Sequence, residues 1–285
     1  MVKFYRFAGV ELAVDIPDQR MYEDDGQLAP FAVPSVTDPH WFRFSVVPEL
    51  TPPTLPCVQS QPGLNIFRDG QQEERYISIS SPKWQEAYIR VASRDKEHRV
   101  EVTAARYPGG IGIRTVLDAI SVVHLTAQEG SAMFHCACVE RRGKAILFTA
   151  PSGTGKSTQA ELWKTLRGAR IINGDRAAIR WDGAQMLAEG IPFCGSSTYC
   201  ENGSLPIEAI VYLGQAPRTS IRRMGGYEAF SRLWEGVSVN TWEREDMENI
   251  SDLIQRLAAL IPIFYLPCTP DESAVTALEQ ALESR

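Results

Sequence analysis

The sequence predicts an α/β fold for the C-terminal part of the chain, preceded by a β-rich N-terminal part. Three observations support this. Apolar and polar residues alternate in short runs of the N-terminal part, a glycine-rich segment at 150–157 lies between an apolar run and a helical pattern, and strand and helix patterns mix from residue 109 onward. We therefore predict a β-rich domain at 1–108 and an α/β domain at 109–285.

The N-terminal part contains four candidate strands with this alternation, at 41–47, 76–80, 88–92 and 100–104. Half of the 18 prolines lie between Pro17 and Pro62, a density that disfavours long helices. We find no catalytic pattern here. We predict that this domain contributes no phosphate ligand and helps to select the acceptor substrate; the alternative is that it only braces the other domain.

The C-terminal part mixes helices and strands. Apolar residues recur at helical spacing from Ile113 to Val123, and Gly130 suits the end of that helix. Hairpins are expected around 141–143 and around 182–183. The remaining predicted elements are strands at 132–140, 144–149, 170–173, 205–213 and 263–266, and helices at 157–167, 243–260 and from a Thr269 cap onward.

The composition argues against several classes of partner. The chain of 285 residues has a formal net charge of −6 and no basic stripe, which argues against nucleic acid. No apolar run is long enough to span a bilayer and no signal peptide is visible, so we expect a cytoplasmic protein without a membrane partner. None of the six cysteines forms a Cys-x-x-Cys pair, which argues against a zinc site. A homo-oligomer is left open.

Residues 150–157 have the pattern of a phosphate-binding loop between a strand and a helix. Gly153 and Gly155 can adopt positive φ, so that backbone N–H groups converge on phosphate oxygens. Lys156 can reach the β- and γ-phosphates, and the Ser157 hydroxyl can bind Mg²⁺. The alternative is a glycine turn with a surface lysine. We predict ATP and Mg²⁺ as cofactors, with ATP held by Ser152, Gly153, Thr154, Gly155, Lys156, Ser157 and Thr158.

Asp175 follows this loop after one predicted helix and the short strand 170–173. A right-handed crossover would place the end of that strand beside the loop. There the Asp175 carboxylate could bind Mg²⁺ together with Ser157, or accept a proton from a hydroxyl that attacks the phosphate. A role as a helix or turn cap is equally compatible with the sequence.

These segments carry a resemblance to a known family. The stretch from Phe134-His135-Cys136 through the loop to 173–176 resembles the catalytic domain of HPr kinase/phosphorylase, and more closely the bacterial HPr-kinase-like proteins, some of which act on peptides. The family shares its nucleotide-binding core with phosphoenolpyruvate carboxykinase. The resemblance covers roughly residues 130–285 and implies a P-loop core of this type.

The resemblance implies roles for individual residues. His135 matches a family histidine near the transferred phosphate and the metal, Lys156 and Ser157 match the loop lysine and the magnesium ligand, and Asp175 matches the second aspartate of a family pair. The predicted catalytic residues are therefore Asp175, His135 and Lys156, and the predicted metal ligands are Ser157 and Asp175. From the residues alone, a core role for His135 is equally compatible.

Gly174 departs from the family pattern, because the first aspartate of the pair normally stands there. We expect transfer to survive with Asp175 alone and Gly174→Asp to be tolerated. The implied activity is an ATP-dependent kinase that moves the γ-phosphoryl group to a hydroxyl, with a serine of a protein or peptide as the expected acceptor. The sequence does not distinguish a protein or peptide kinase from a small-molecule hydroxyl kinase. Gly174 favours a third hypothesis, a nucleotide-gated binding module with little transfer activity. The segment 189–197 either borders the substrate or is a connector.

Overall fold

The computed structural model describes residues 1–17, 26–105 and 111–284. The chain divides into two compact units. Unit 1 comprises Met1–Arg6 and Val10–Val122, and unit 2 comprises Phe7–Gly9 and Val123–Arg285. The predicted domain boundary at 108/109 lies outside the described residues. None of the described helices is both long enough and apolar enough to cross a membrane.

Unit 1 is built on one nine-stranded sheet with the order β3-β1-β2-β4-β9-β8-β7-β6-β5. Alternation along these strands buries one set of side chains, as for Phe42 and Phe44 of β4 and Val100 and Val102 of β9. The strands are β1 (Val2–Phe7), β2 (Val10–Asp15), β3 (Ala32–Val33), β4 (His40–Val47), β5 (Cys57–Gln61), β6 (Leu64–Asp69), β7 (Gln72–Ile77), β8 (Ile89–Arg94) and β9 (Glu97–Thr103).

The strands predicted at 41–47, 88–92 and 100–104 are confirmed, with ends shifted by a few residues. The strand predicted at 76–80 is wrong, because β7 ends at Ile77. The Ser78 hydroxyl donates to the carbonyl of Ser81 at 2.8 Å, and this local hydrogen bond turns the chain away from the sheet.

The predicted helix that starts at Ile113 is interrupted. Helix α1 covers Ile113–Ala119 and helix α2 covers Val122–Gln128. The amide of Val122 donates to the carbonyl of Ile120 at 2.8 Å, which closes a tight turn between the two helices. Apolar periodicity alone did not reveal this turn, because the apolar residues continue across it.

Unit 2 is a mixed α/β structure whose sheet follows the order β10-β14-β15-β16-β12-β11-β13, with β18 parallel to β16 and β17 antiparallel to β18. Its strands are β10 (Ser131–His135), β11 (Ala137–Arg141), β12 (Lys144–Thr149), β13 (Arg170–Asn173), β14 (Arg176–Trp181), β15 (Met186–Glu189), β16 (Ser204–Gln215), β17 (Arg222–Met224) and β18 (Ile263–Cys268). Its longer helices are α3 (Lys156–Arg167), α4 (Gly226–Gly236), α5 (Arg244–Leu260) and α6 (Glu272–Glu283).

Helices cover both faces of this sheet. Leu147 of β12 packs in an apolar layer with Leu233 of α4 and Ile254 of α5. The next residue, Phe148, points to the other face and packs in a layer with Trp163 of α3 and Leu278 of α6. This arrangement holds α3 firmly against the sheet, because Trp163 is fully buried.

The predicted strand 132–140 is wrong as a single element, because it breaks at Cys136 into β10 and β11. Strand β10 pairs with β14, whereas β11 pairs with β12 and β13. The amide of Cys136 donates to the carbonyl of Asp175 at 3.0 Å at the point of the break. The hairpin between β11 and β12 is confirmed, and Arg142 and Gly143 both have positive φ, as a tight two-residue turn requires.

Strands β12 and β13 run parallel, since each pairs antiparallel with β11, which lies between them. Their C-terminal ends therefore lie at the same edge of the sheet, and the helix that connects them is α3. The predicted start of the last helix is wrong. Asp271, not Thr269, is the N-cap of α6, and its Oδ1 accepts a hydrogen bond from the amide of Ser273 at 2.9 Å.

Candidate active site

The glycine-rich segment joins the end of β12 directly to the start of α3. Gly153 has φ +78° and Gly155 has φ +114°, a region that favours glycine. A Cβ at Gly153 would meet no atom within 4 Å, so the backbone conformation and not crowding requires glycine there. Helix α3 begins at Lys156, and the first amides of a helix lack partners within it. The segment therefore ends in a set of N–H groups suited to an anion.

Lys156 lies across this segment. Its ammonium donates to the carbonyl of Ala150 at 2.9 Å and of Pro151 at 3.4 Å, and only 8% of the residue is exposed. Burial lowers the pKa of Lys156, and the nearby charge of Asp175 opposes that shift. The cation is thus held at the end of β12, with carbonyl oxygens as its partners in the structure.

Asp175 is positioned by a buried asparagine. The Asn173 Oδ1 atom accepts hydrogen bonds from the amides of Asp175 and Arg176, both at 2.9 Å. The Asn173 Nδ2 group donates to the carbonyls of Ile191 at 3.1 Å and Phe193 at 3.4 Å, and the side chain is inaccessible to solvent. Asn173 therefore joins the turn that carries Asp175 to the segment after β15.

The Asp175 carboxylate lies between two basic side chains. Its Oδ1 is 3.5 Å from Nδ1 of His135, and its Oδ2 is 3.2 Å from Nε of Arg176. The end of β10 is tied to the end of β12 as well, because the Thr149 hydroxyl donates to the carbonyl of His135 at 3.0 Å. These contacts bring His135 and Asp175 to the edge of the sheet where the glycine-rich segment begins.

The pKa of His135 is lowered. Burial is the largest cause, the positive charges of Lys156 and Arg176 add to it, and the Asp175 carboxylate opposes it. The imidazole of His135 therefore stays neutral to a lower pH than that of an exposed histidine. A neutral imidazole can accept a hydrogen bond or a proton, which a charged one cannot.

A cavity of about 310 Å³ lies beside Asp175. It is lined by Ser157, Ala160, Glu161, Ile171, Gly174, Asp175, Ser196, Ser197, Thr198 and Tyr199. We call this space the carboxylate cavity. Its walls carry two carboxylates and several hydroxyls, so it is suited to a polar group that donates hydrogen bonds.

One wall of the carboxylate cavity is fastened to helix α3. The Tyr199 hydroxyl donates to Oε1 of Glu161 and accepts from Nζ of Lys164, both at 2.7 Å. The Lys164 ammonium also lies 4.7 Å from the centroid of the Tyr199 ring. The segment 196–199 is thereby held against the helix that starts at the glycine-rich segment.

Gly174 is closely covered by Ser197, which corrects an expectation from the sequence. A Cβ at position 174 would lie 2.1 Å from Oγ and 2.7 Å from Cβ of Ser197. The Ser197 side chain is itself fixed, since its Oγ accepts from the amide of Tyr199 at 3.1 Å. The expectation that Gly174→Asp is tolerated is therefore wrong for this conformation, because the added side chain has no room.

A second cavity, of about 530 Å³, lies on the other side of the glycine-rich segment. It is lined by Gly153, Thr154, Gly155, Thr158, Gln159, Leu213, Gly214, Gln215, Ala216, Cys268 and Pro270. We call it the amide cavity, because Gln159 and Gln215 contribute the side-chain amides. It contains no carboxylate among these residues, in contrast to the first cavity.

The structure brings most of the predicted residues to one edge of the sheet. Ser157 and Asp175 line the carboxylate cavity, whereas Gly153, Thr154, Gly155 and Thr158 line the amide cavity. Lys156 donates to the carbonyl of Ala150, and the charge of Asp175 acts on its ammonium. Asp175 caps no helix, since a strand follows it. In the segment 189–197, Ser196 and Ser197 line the carboxylate cavity, so this part of the segment lies beside Asp175.

Sequence reasoning missed Asn173, Tyr199 and Gln159. An asparagine just before a Gly-Asp pair was a usable signal for Asn173, because asparagine oxygens accept from amides two and three residues onward. Tyr199 and Gln159 act through residues distant in the chain, and no local pattern reveals such contacts.

Comparison with known proteins gives a distant structural similarity and no family. No family model matches the chain, and no curated protein matches it. Among solved structures, it is similar to the HPr(Ser) kinase/phosphatase from Coxiella burnetii, with 10% sequence identity and a TM-score of 0.33. That match covers 53% of this chain and 97% of the other. A relation this distant does not specify an activity, which has to come from the residues of the site.

Proposed function

We propose that this protein is an ATP- and Mg²⁺-dependent kinase that transfers the γ-phosphoryl group to a hydroxyl, with a serine of a protein or peptide as the expected acceptor. One observation carries the proposal: the glycine-rich segment that opens α3 lies at the same sheet edge as His135 and Asp175, whose side chains are 3.5 Å apart. A helix start that is suited to an anion and a candidate base are thus brought together.

The residues present fit a nucleoside triphosphate. The two glycines give the segment the backbone that phosphate contact needs, and the start of α3 supplies N–H groups and a favourable dipole. Lys156 can exchange its carbonyl partners for phosphate oxygens, which are stronger partners for an ammonium. Positioning and charge neutralisation account for most catalysis of this kind.

The residues present also fit Mg²⁺. This ion is commonly held by one or two carboxylates, with the other positions taken by substrate phosphates and water. The Ser157 hydroxyl and the Asp175 carboxylate line the same cavity and supply such a set of oxygens. When bound, the ion would neutralise charge on the phosphates.

Asp175 is the proposed base. The attacking hydroxyl oxygen would form a bond to the γ-phosphorus while the bond to the β-phosphate oxygen breaks, and the hydroxyl proton would pass to the Asp175 carboxylate. His135 would orient that carboxylate through the contact between Nδ1 and Oδ1. The carboxylate cavity would receive the hydroxyl, either on a peptide or on a small molecule.

The second candidate is a nucleotide-gated binding module with little transfer. It is favoured by the packing of Ser197 over Gly174, which fills the space in which a second carboxylate would stand. We place either activity in the cytoplasm, in line with the sequence. Incubation with γ-labelled ATP, Mg²⁺ and a cell extract separates the two candidates, because only the kinase labels an acceptor.

The central claim is tested by Lys156→Ala, with Lys144→Ala as the control. Lys144 is exposed at the opposite end of β12, so its removal should leave binding unchanged. We expect Lys156→Ala to weaken ATP binding at least about tenfold, since it removes a charge from the phosphate site. Calorimetry with ATP and Mg²⁺ measures this. Equal affinity and equal turnover in Lys156→Ala and the parent would overturn the proposed function.

A further inference from the structure

Gln159 lines the amide cavity and has a buried side-chain oxygen without a hydrogen-bond partner. The residue is 2% exposed, and its Nε2 group donates to Sγ of Cys268 at 3.4 Å. Its Oε1 atom is buried and has no hydrogen-bond partner. A buried polar atom without a partner is costly, and such atoms often mark the place of a ligand or of an ordered water.

The amide cavity is continuous with the proposed phosphate site. Gly153, Thr154 and Gly155 line it on one side, and residues 213–216, at the end of β16 and just after it, line it on the other. Its volume of about 530 Å³ lies within the range of small-molecule sites. A molecule whose phosphates occupy the start of α3 would thus extend its other end toward this cavity.

A carboxamide has a chemical preference among bases. It presents one acceptor and one donor side by side, which match the N6 amine and the N7 atom of adenine. At that edge guanine offers only the acceptors O6 and N7, so Oε1 would face an acceptor in either orientation of the amide. The present partner of Nε2 is a thiol sulfur, a weak acceptor that is readily given up.

We propose that Gln159 reads the adenine base of the bound nucleotide, and that the amide cavity is the nucleoside site. This inference rests on the proposed function, because it needs phosphates at the start of α3. Gln159 is then a specificity residue that sets the preference for ATP over GTP, while the phosphate loop supplies affinity common to both.

The test uses Gln159→Leu in the full chain, with Gln255→Leu as the control. Gln255 is exposed on α5, which contributes no residue to the cavity. Binding of ATP, GTP and inorganic tripolyphosphate is measured by calorimetry in the presence of Mg²⁺. We expect the parent and Gln255→Leu to prefer ATP. In Gln159→Leu we expect ATP affinity to fall about tenfold and GTP and tripolyphosphate affinities to stay within about twofold.

The variant should fold, because leucine removes an oxygen that has no partner in the free protein. Gln159→Met, which keeps the unbranched shape, serves as a second variant with the same expected loss. The outcomes separate the two claims. If tripolyphosphate binds but both variants keep the parent preference for ATP over GTP, the inference is wrong and the proposed function stands. If the parent binds neither tripolyphosphate nor ATP, both are wrong.

Discussion

Helix α3 separates two cavities of different chemistry. On one face Ser157, Ala160 and Glu161, spaced as neighbours on a helix, border the carboxylate cavity. On another face Thr158 and Gln159 border the amide cavity, where the polar side chains include neutral amides and no carboxylate. Under the proposed function, the start of this one helix would hold the phosphates while its two sides would hold different groups. A hydroxyl that must lose a proton belongs beside carboxylates, and a neutral base belongs beside amides.

The largest expected effect lies on the carboxylate side. Asp175→Asn should lower the rate of phosphoryl transfer by orders of magnitude, because the amide cannot accept the hydroxyl proton. ATP affinity should stay within about tenfold, or about 1.4 kcal/mol, since the proposed nucleoside site is the other cavity. Initial rates and calorimetry measure the two quantities separately.

The matched control for this prediction is Asp182→Asn. Asp182 lies in the turn between β14 and β15, where its Oδ1 accepts from the amides of Ala184 and Gln185, contacts that asparagine can also make. It should leave transfer unchanged. Transfer by Asp175→Asn at the parent rate would remove Asp175 from the mechanism.

A smaller effect is expected at Gly174, where the Ser197 side chain packs closely against the backbone. Gly174→Ala should lower the free energy of unfolding by about 1–3 kcal/mol, because its Cβ would overlap the Ser197 side chain. ATP affinity should be unchanged, since Gly174 does not line the amide cavity. Denaturant unfolding measures the first quantity and calorimetry the second.

Ser197→Gly provides the partner for a double-mutant cycle with Gly174→Ala. Removing the Ser197 side chain restores the space, so the double variant should be more stable than the sum of the single effects indicates. Additive effects would show that the two residues are not in contact. The cycle thus tests whether the Ser197 side chain occupies the space that a side chain at position 174, such as a second carboxylate, would need.

The site could be predicted from sequence only where its chemistry is local. The glycines, Lys156 and Ser157 form a continuous pattern, and Asp175 follows after one helix and one strand, so their meeting could be expected from crossover geometry. The break at Cys136 could not be predicted from sequence, because it depends on which strands pair with β10 and β11. The cover that Ser197 places on Gly174 and the unpaired oxygen of Gln159 also depend on packing between segments far apart in the chain.

The smallest expected effect concerns His135 and pH. Burial and the charges of Lys156 and Arg176 lower the pKa of His135 below its ordinary value of 6.5, and 36% of the side chain remains exposed, so solvent screens part of the effect. Well above pH 6.5 the imidazole is neutral in both the folded and the unfolded chain. As the pH falls below that value, the unfolded chain binds a proton that the folded chain does not, and stability is lost until the pH reaches the folded pKa.

His135→Gln should remove this part of the pH dependence. The difference in unfolding free energy between the parent and the variant should be constant above the ordinary histidine pKa and should shift in favour of the variant below it. Denaturant unfolding across this pH range measures the difference, and the other histidines cancel in the comparison. A parent whose advantage grows on acidification would show the opposite sign, as expected if the attraction of Asp175 outweighed burial and the two positive charges. In that case His135 would be charged beside the carboxylate, and the role of the imidazole as a neutral partner of Asp175 would have to be abandoned.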